Sequence, residues 1–469
     1  MKSKICMQEH FTEAQYEQMI DALFHRFPSF QKVGAGAYKP GIGNMEFIDQ
    51  LFGHPHKNYK IIHVAGTNGK GSVSNMLTSV LSALGFKVGL YTSPHIVDFR
   101  ERIRVCCSGE STLISKQDVW NFAQKWQDTF DHLDMSFFEI TTSMALQWFA
   151  DQEVDYVVLE TGLGGRLDST NIVTPVLSVI TNIGLDHCDL LGETVQEIAF
   201  EKAGIIKPRV PVVVGESSTE INPVFERKVL YTNLPDPMFM GSRSAIMSLL
   251  IFADNTDPMM WNRSEEILSR MDLRGEYQRK NLRTALAALE VLDGACGVLS
   301  GNDGETVVDA LLHTSERTGF RGRWEQVCQN PLTICDIGHN EHGLKYNFAQ
   351  LKRMLEAGES THLIVVYGSV ADKDLDAVLP LMPMMATYVF TQANGKRALS
   401  AGVIRQRFEE FCLESGRQPV GVYCCPDVPS AVSKAKGLAS EILVEDPSAK
   451  PLIYIGGSTY VVSEAVAVL

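Results

Sequence analysis

The sequence predicts an α/β protein in which a mostly parallel sheet is followed by a second, smaller α/β unit. Three observations predict it. Short apolar runs alternate with segments of helical spacing along most of the chain, as expected for strands joined by crossover helices. Residues 60–92 read as one complete strand–helix–strand unit with a glycine-rich turn inside it. A second series of apolar runs begins near Trp324, after the polar, glycine-bearing stretch TSERTGFRG at 314–322.

The elements follow in order. KIIHVA at 60–65 is a nearly continuous apolar run, suited to a strand covered on both faces. Val73, Met76, Leu77, Val80, Leu81 and Leu84 then recur at helical spacing, Gly85 closes the helix, and 87–92 opens the next strand. Further strands are expected at 156–160, 176–181 and 211–214. Thr194-x-x-Glu197 is a capping box that opens a short helix through Ala203, with Gly204 as its stop. Residues 216–261 mix Pro, Asn, Ser and Met and are left without an assigned structure. A helix resumes at 281–292, and the second series predicts strands at 332–335, 362–367, 387–391 and 452–455. The expected domains are 1–317 and 318–469.

The 469 residues include 42 Lys+Arg against 56 Asp+Glu, a net charge of −14, and 45% are hydrophobic. That apolar content excludes a mostly disordered chain. The negative balance argues against nucleic acid or an anionic membrane as partner, so an anionic small molecule would need its own pocket. No apolar run approaches a membrane span, and the first residues lack a secretory apolar core. Ten cysteines without a C-x-x-C pair read as reduced thiols. The expectation is a soluble, cytoplasmic protein.

The strongest chemical signal is Gly66-Thr67-Asn68-Gly69-Lys70-Gly71-Ser72, between the first strand and its helix. Glycines let the backbone approach an anion, the helix N-terminus offers N–H groups to phosphate oxygens, and Lys70 neutralises charge. Ser93, Glu160 and the Asp186-His187 pair fall just beyond the carboxyl ends of expected strands, where α/β proteins place ligands. Oxygen donors with an occasional imidazole suit a hard cation held by nucleotide phosphates. Together these groups suggest a Mg-ATP site with two metal positions. Lys202, in the last turn of its helix, reads by itself as a cation favoured by the helix dipole.

GTNGKGS, TSPH (92–95), LETGLGGRLDSTN (159–171), TNIGLDH (181–187), IAFEKAGIIKP (198–208), RGRWE (321–325) and DIGHN (336–340) occur in order. They resemble the folylpolyglutamate synthase/dihydrofolate synthase family, the folate branch of the Mur ligases. The resemblance implies a P-loop-type, Mur ligase central domain-like unit followed by a Rossmann-like α/β domain. It implies that Ser93 and Glu160 help bind one Mg²⁺ and that His187 binds a second. It also implies that Lys202 is carbamylated, which reverses its charge. Asn281, Arg323, Asp336 and His339 match positions that contact ATP, and Phe138 and Asp168 match positions that contact dihydropteroate. Tyr277 and Ile337 depart from the family pattern, which has His and a small residue there.

The implied activity is ATP-dependent joining of L-glutamate to dihydropteroate, and to reduced folates, through an acyl phosphate. Lys70, Lys202, Arg323 and His339 are the expected catalytic groups, in a monomer. Folylpolyglutamate synthesis alone is the alternative. A UDP-sugar Mur ligase or an ATP-dependent switch protein is further off, since only 65 residues precede Gly66 and Glu160, His187 and Lys202 form an ordered set. His54 and His56 are expected in a solvated loop, 456–460 (GGSTY) as the end of the last strand, and the Met-rich 238–260 as packing or surface loop.

Overall fold

The computed structural model describes residues 11–27, 36, 39, 41–234, 247, 249–301 and 303–469. Its first sheet has eight strands: β1 (Lys60–Ala65), β2 (Val88–Tyr91), β3 (Ile103–Cys107), β4 (Glu110–Leu113), β5 (Tyr156–Glu160), β6 (Leu177–Ile180), β7 (Val212–Val214) and β8 (Leu250–Phe252). Their order is β4-β3-β2-β5-β1-β6-β7-β8. All pairings are parallel except β2/β3 and β3/β4. The second sheet holds β9 (Glu325–Gln329), β10 (Leu332–Cys335), β11 (His362–Tyr367), β12 (Ala386–Phe390), β13 (Gly421–Cys424) and β14 (Pro451–Gly456). Its order is β13-β12-β11-β14-β10-β9, parallel but for the edge strand β9. The expected α/β class is therefore what the chain adopts.

β1 is central and both of its neighbours come later in sequence, with Val64 beside Glu160 on one side and Val179 on the other. The loops after β1, β5 and β6 thus leave the sheet side by side, at the kind of edge where open α/β sheets bind ligands. The helix Lys70–Ala83 follows β1 and is buried almost throughout, not on one face as its apolar spacing suggests. Its second face is made of small polar residues that admit close neighbours. Ser79 Oγ donates to Ala310 O at 2.7 Å, and Asn75 Nδ2 donates to Gly71 O at 2.7 Å.

Several expectations change. The β3–β4 hairpin, β9 and β13 were not expected, because these short strands lie at or near sheet edges and mix polar with apolar residues, and β8, though apolar (LIF), falls in the stretch left without an assigned structure. In 216–261 the chain forms the helix Asn222–Asn233 and β8, while 235–246 and 248, with Met238 and Met240, lie outside the described residues. That helix buries only Phe225, Val229 and Asn233, a stripe too narrow to read as periodicity. The capping box at Thr194 forms, but Gly204 is not a left-handed stop. The helix runs into a tight turn at Ala203–Ile205, where a Cβ on Gly204 would collide with the Arg166 backbone. His54 is partly solvated, its side chain 41% exposed, but His56 is not, at 11%, and each ring Nδ1 lies 2.6 Å from a different oxygen of the buried Asp49 carboxylate. The expected boundary after Arg317 falls inside the helix Thr314–Thr318, which packs with the first sheet's helices.

His63, in the middle of β1, is fully buried, with Nε2 2.8 Å from Thr170 Oγ1. Burial, then the Lys207 charge, pulls its pKa from 6.5 down to about 3. Between those values the unfolded chain holds a proton that the folded chain has released, so stability falls as pH drops from about 6.5 to 3. The expected loss attributable to this ring is on the order of 4 kcal/mol. Urea unfolding of the parent and of His63→Gln at several pH values checks it: the variant should show a shallower decline across that window.

Candidate active site

The phosphate loop has the conformation its sequence calls for. Gly69 caps the helix with φ +83°, and a Cβ there would strike the Asn281 side chain, as one on Gly66 would strike Thr181. The loop is laced to the 181–187 segment beside it. Thr67 N donates to Asn182 O at 3.0 Å, Asn68 N to Asn182 Oδ1 at 2.8 Å, and Thr67 Oγ1 to Gly184 O at 3.1 Å. Lys70 is folded back on its own loop, with Nζ 3.0 Å from Gly66 O and 3.3 Å from Thr67 O. The first N–H groups of the following helix have no intrahelical partner and remain the anion-binding end. Ser72 is fully buried, and its Oγ accepts from Gln278 Nε2 at 3.2 Å. Asn281, from the same helix as Gln278, packs against Gly69.

Glu160 ends β5 under this loop. Its carboxylate accepts the Ser93 N–H at 3.3 Å, and burial pushes its pKa up to about 7 against the opposing pull of Lys70, that N–H and Arg323. The neighbouring Thr161 Oγ1 is buried with no hydrogen-bond partner. A buried carboxylate this short of positive charge, beside an unsatisfied hydroxyl and Ser93, fits a hard divalent cation. His187 has φ +52° and a pKa pulled to about 3 by burial, so its imidazole is neutral and able to ligate. Lys202 is buried, donates to Gly66 O at 3.0 Å, and is pulled down to about 7 by burial and then by Lys70. Lys202 is thus not merely a cation at a helix end: the side chain points inward beneath the phosphate loop.

The second sheet closes the site. His339 Nδ1 lies 3.0 Å from Ile337 O, leaving Nε2 3.8 Å from Asp186 Oδ2. Asn340 Nδ2 donates to Asp186 Oδ2 at 2.9 Å and to Asn68 Oδ1 at 3.1 Å. Arg323 lies over the Phe320 ring at 5.1 Å, beside Gly71. Asp336 is buried and already accepts Tyr277 OH, Trp324 N, Gly338 N and Asn347 Nδ2 at 2.7–2.8 Å. It braces the linker to the second sheet, and Tyr277, one of the two departures from the family pattern, is part of that brace.

A cavity of about 260 Å³ lies between the two sheets. It brings together Gly66, Thr67 and Lys70 of the loop, Ser93, His187 and Lys202, and His339 from the second sheet. Its other wall is apolar, with Phe138, Leu163, Leu167 and Leu191. Phe138 is half-buried and tilted against Tyr91 at 5.9 Å. Asp168 also reaches the cavity, but its oxygens already accept the N–H groups of Gly162, Leu163 and Thr170 and the Thr170 hydroxyl, the full capacity of a carboxylate. Glu160 and Arg323 face a smaller pocket on the other side of Ser93. The expected end of the last strand at 456–460 does end β14, and Ser458, Thr459 and Tyr460 also line the main cavity. Sequence reasoning missed Asn182, Asn340, Lys373 and Arg397. The rule of polar residues beyond strand ends points to the first three.

Comparison with known proteins agrees with this geometry. Residues 64–289 match the Mur ligase middle domain and residues 322–444 the Mur ligase glutamate ligase domain. The fold and the site thus define an ATP-dependent ligase of the Mur type. The dihydrofolate synthase/folylpolyglutamate synthase of Bacillus subtilis strain 168 is 33% identical over 360 residues, 74% of this chain and 80% of that protein. The Escherichia coli K12 protein of the same name is 34% identical, over 68% of this chain and 69% of its own length. The chain belongs to the dihydrofolate synthase/folylpolyglutamate synthase family. A Mycobacterium tuberculosis folylpolyglutamate synthase complexed with ADP superposes with a TM-score of 0.76 at 26% identity, over 97% of this chain and 98% of that one. A Yersinia pestis bifunctional enzyme complexed with AMPPNP and Mn ion gives 0.73 at 25% identity, over 98% and 99%.

Proposed function

We propose that this chain uses ATP to join L-glutamate to dihydropteroate and to reduced folates, releasing ADP and phosphate. The observation that carries the reading is one cavity in which the phosphate loop, Lys202 and the Phe138 wall meet His339 of the second sheet. The nucleotide phosphates would lie on the loop N–H groups and Lys70, with Asn281 and Arg323 beside them. Ser93 and Glu160 would hold one Mg²⁺, and His187 with a carbamylated Lys202 a second. Bound there, Mg²⁺ offsets negative charge on the phosphates. The flat heterocycle would stack on Phe138.

The substrate carboxylate oxygen takes the γ-phosphoryl group as the bond to ADP breaks, giving an acyl phosphate. The glutamate amine then attacks that carbonyl carbon, gives up a proton, and phosphate leaves. Lys70 and Arg323 offset charge that accumulates during transfer. His339, with Nε2 free of backbone partners, is placed to accept the amine proton. Arg102 and Arg397, which line the same cavity, supply positive charge for the carboxylates of glutamate or of a glutamyl tail. We place the domain boundary at 319–322 and take the enzyme as a monomer.

Asp168 favours a second reading, folylpolyglutamate synthesis alone, because a pterin N–H would have to share a lone pair already in use. A paired assay separates the two: ATP, Mg²⁺ and L-glutamate with either dihydropteroate or tetrahydrofolate, read by product mass. Product from both is expected. Product from tetrahydrofolate alone supports the second reading, and ADP release without any amide product sinks both.

A further inference from the structure

Asp186 collects groups from both halves of the molecule. On its own side it follows the 182–184 segment that is laced to Thr67 and Asn68, and its Oδ1 accepts the His187 N–H at 2.9 Å. From the second sheet come Asn340 Nδ2, at 2.9 Å from Oδ2, and Lys373 Nζ, paired with Oδ1. Both partners of that ion pair are withdrawn from water, with side chains 10% and 9% exposed. Lys373 is the only lysine or arginine among the described residues that forms an ion pair with Asp186, and the two are 187 positions apart.

The lysine is held rigidly by its own domain. It follows β11 in the run Asp372-Lys373-Asp374. Asp372 pairs with Arg397 at 2.6 Å, Ala371 N donates to Arg397 O at 2.8 Å, and Asp374 caps the next helix through Asp376 N and Ala377 N. Leu399 N donates to Ser369 O at 2.9 Å, pinning the start of the same loop. Lys373 is therefore a preorganised arm that spans the cavity. At its far end is a carboxylate fixed to the phosphate loop by two further hydrogen-bonded steps.

We propose that the Lys373–Asp186 pair is the latch that couples nucleotide on the phosphate loop to the position of the second domain. Anything that orders Thr67 and Asn68 orders the 182–186 segment, and with it the acceptor that Lys373 and Asn340 require. In the latched molecule His339, three residues from Asp336 and next to Asn340, is brought over the cavity. Lys373 is a positioning residue: it acts through domain placement, and its loss separates nucleotide binding from turnover. A buried pair suits this work, because either charge left alone in the closed state is strongly unfavourable, so the closed state forms only when both are present. The inference rests on the nucleotide site proposed above, but not on the identity of the acceptor substrate.

The test uses the full chain with ADP and Mg²⁺ as probe, without folate, and follows amide hydrogen exchange of 182–186 and of 338–343. In the parent, ADP should slow exchange in both segments. In Lys373→Met it should still slow exchange in 182–186 but clearly less in 338–343, where Asn340 keeps its direct bonds to Asn68, and ADP should bind at least about fivefold more weakly, the lower range of a two-site coupling. Lys373→Arg, which keeps the charge, should restore part of the protection. Should Lys373→Met fold poorly, the double variant Lys373→Met/Asp186→Asn removes both charges and should recover stability without the coupled protection. Undiminished protection of 338–343 in Lys373→Met, or in the double variant, overturns the latch. Parent protein that couples the two segments through ADP yet makes no folate product would overturn the proposed substrates and leave the latch standing.

Discussion

Replacing Lys70 by alanine is expected to lower kcat/KM for amide formation roughly 10²–10³-fold, the usual consequence of losing one fixed charge donor at a reacting centre. The side chain is half-buried and bonded only to Gly66 O and Thr67 O in its own loop. When it is gone Gly66 O keeps the Lys202 amine as donor and Thr67 is only half-buried, so the fold should lose only about 1 kcal/mol. A coupled assay of ADP release, run beside a thermal melt by circular dichroism, separates the two effects. A melting point within a few degrees of the parent and a collapsed rate is the expected pair of results. A rate within threefold of the parent would show that the lysine does not meet the transferring phosphate.

If Lys202 helps to organise a metal site as proposed, Lys202→Ala is expected to cost about 10–100-fold in activity. The amine lies in a buried pocket against Gly66 O, where burial brings its pKa to about 7. Near neutral pH a substantial fraction is therefore the free amine, the form that adds CO₂. A carbamate formed there keeps one N–H for Gly66 O and presents two oxygens to the cavity. Millimolar bicarbonate or a short carboxylic acid should restore part of the Lys202→Ala rate by filling the vacated space with a carboxylate. The same additives should leave Lys70→Ala unchanged. Activity of Lys202→Ala that stays flat across all such acids would rule out an anionic role for this side chain.

The parts of the site that were legible are those written in contiguous residues. β1 and its loop could be read because a continuous apolar run, a glycine turn and a lysine stand together, and β11 and β14 because central parallel strands are apolar on both faces. What could not be read depends on partners far away in sequence. Lys202 looks like a cation at a helix end until Gly66, 136 positions earlier, is found to lie over it. Arg104 makes β3 look polar, yet its guanidinium is buried against Glu101 O and Thr318 O. Asp168 and Asp336 carry the residue types expected of ligand contacts, but the oxygens of Asp168 are filled by donors of its own loop and those of Asp336 by Tyr277, Trp324, Gly338 and Asn347. Lys373 sits between two aspartates and reads as a solvated turn, because its partner is on the other sheet.

The burial of helix Lys70–Ala83 on both faces has a consequence for how the chain is made. One face is covered by residues of the helices at 278–296, 304–312 and 314–318, with Ser79 and Ala310 hydrogen-bonded across 231 positions. A nascent chain that has emerged only as far as β8 presents this helix with an uncovered surface of Val, Leu, Ser and Thr, a surface open to chaperones and to self-association. The phosphate loop is held by the 182–184 segment, but the helix that it opens gains its bond from Ser79 only once Ala310 has been made. A chain that stops short of Ala310 carries the motif on a helix with one face uncovered.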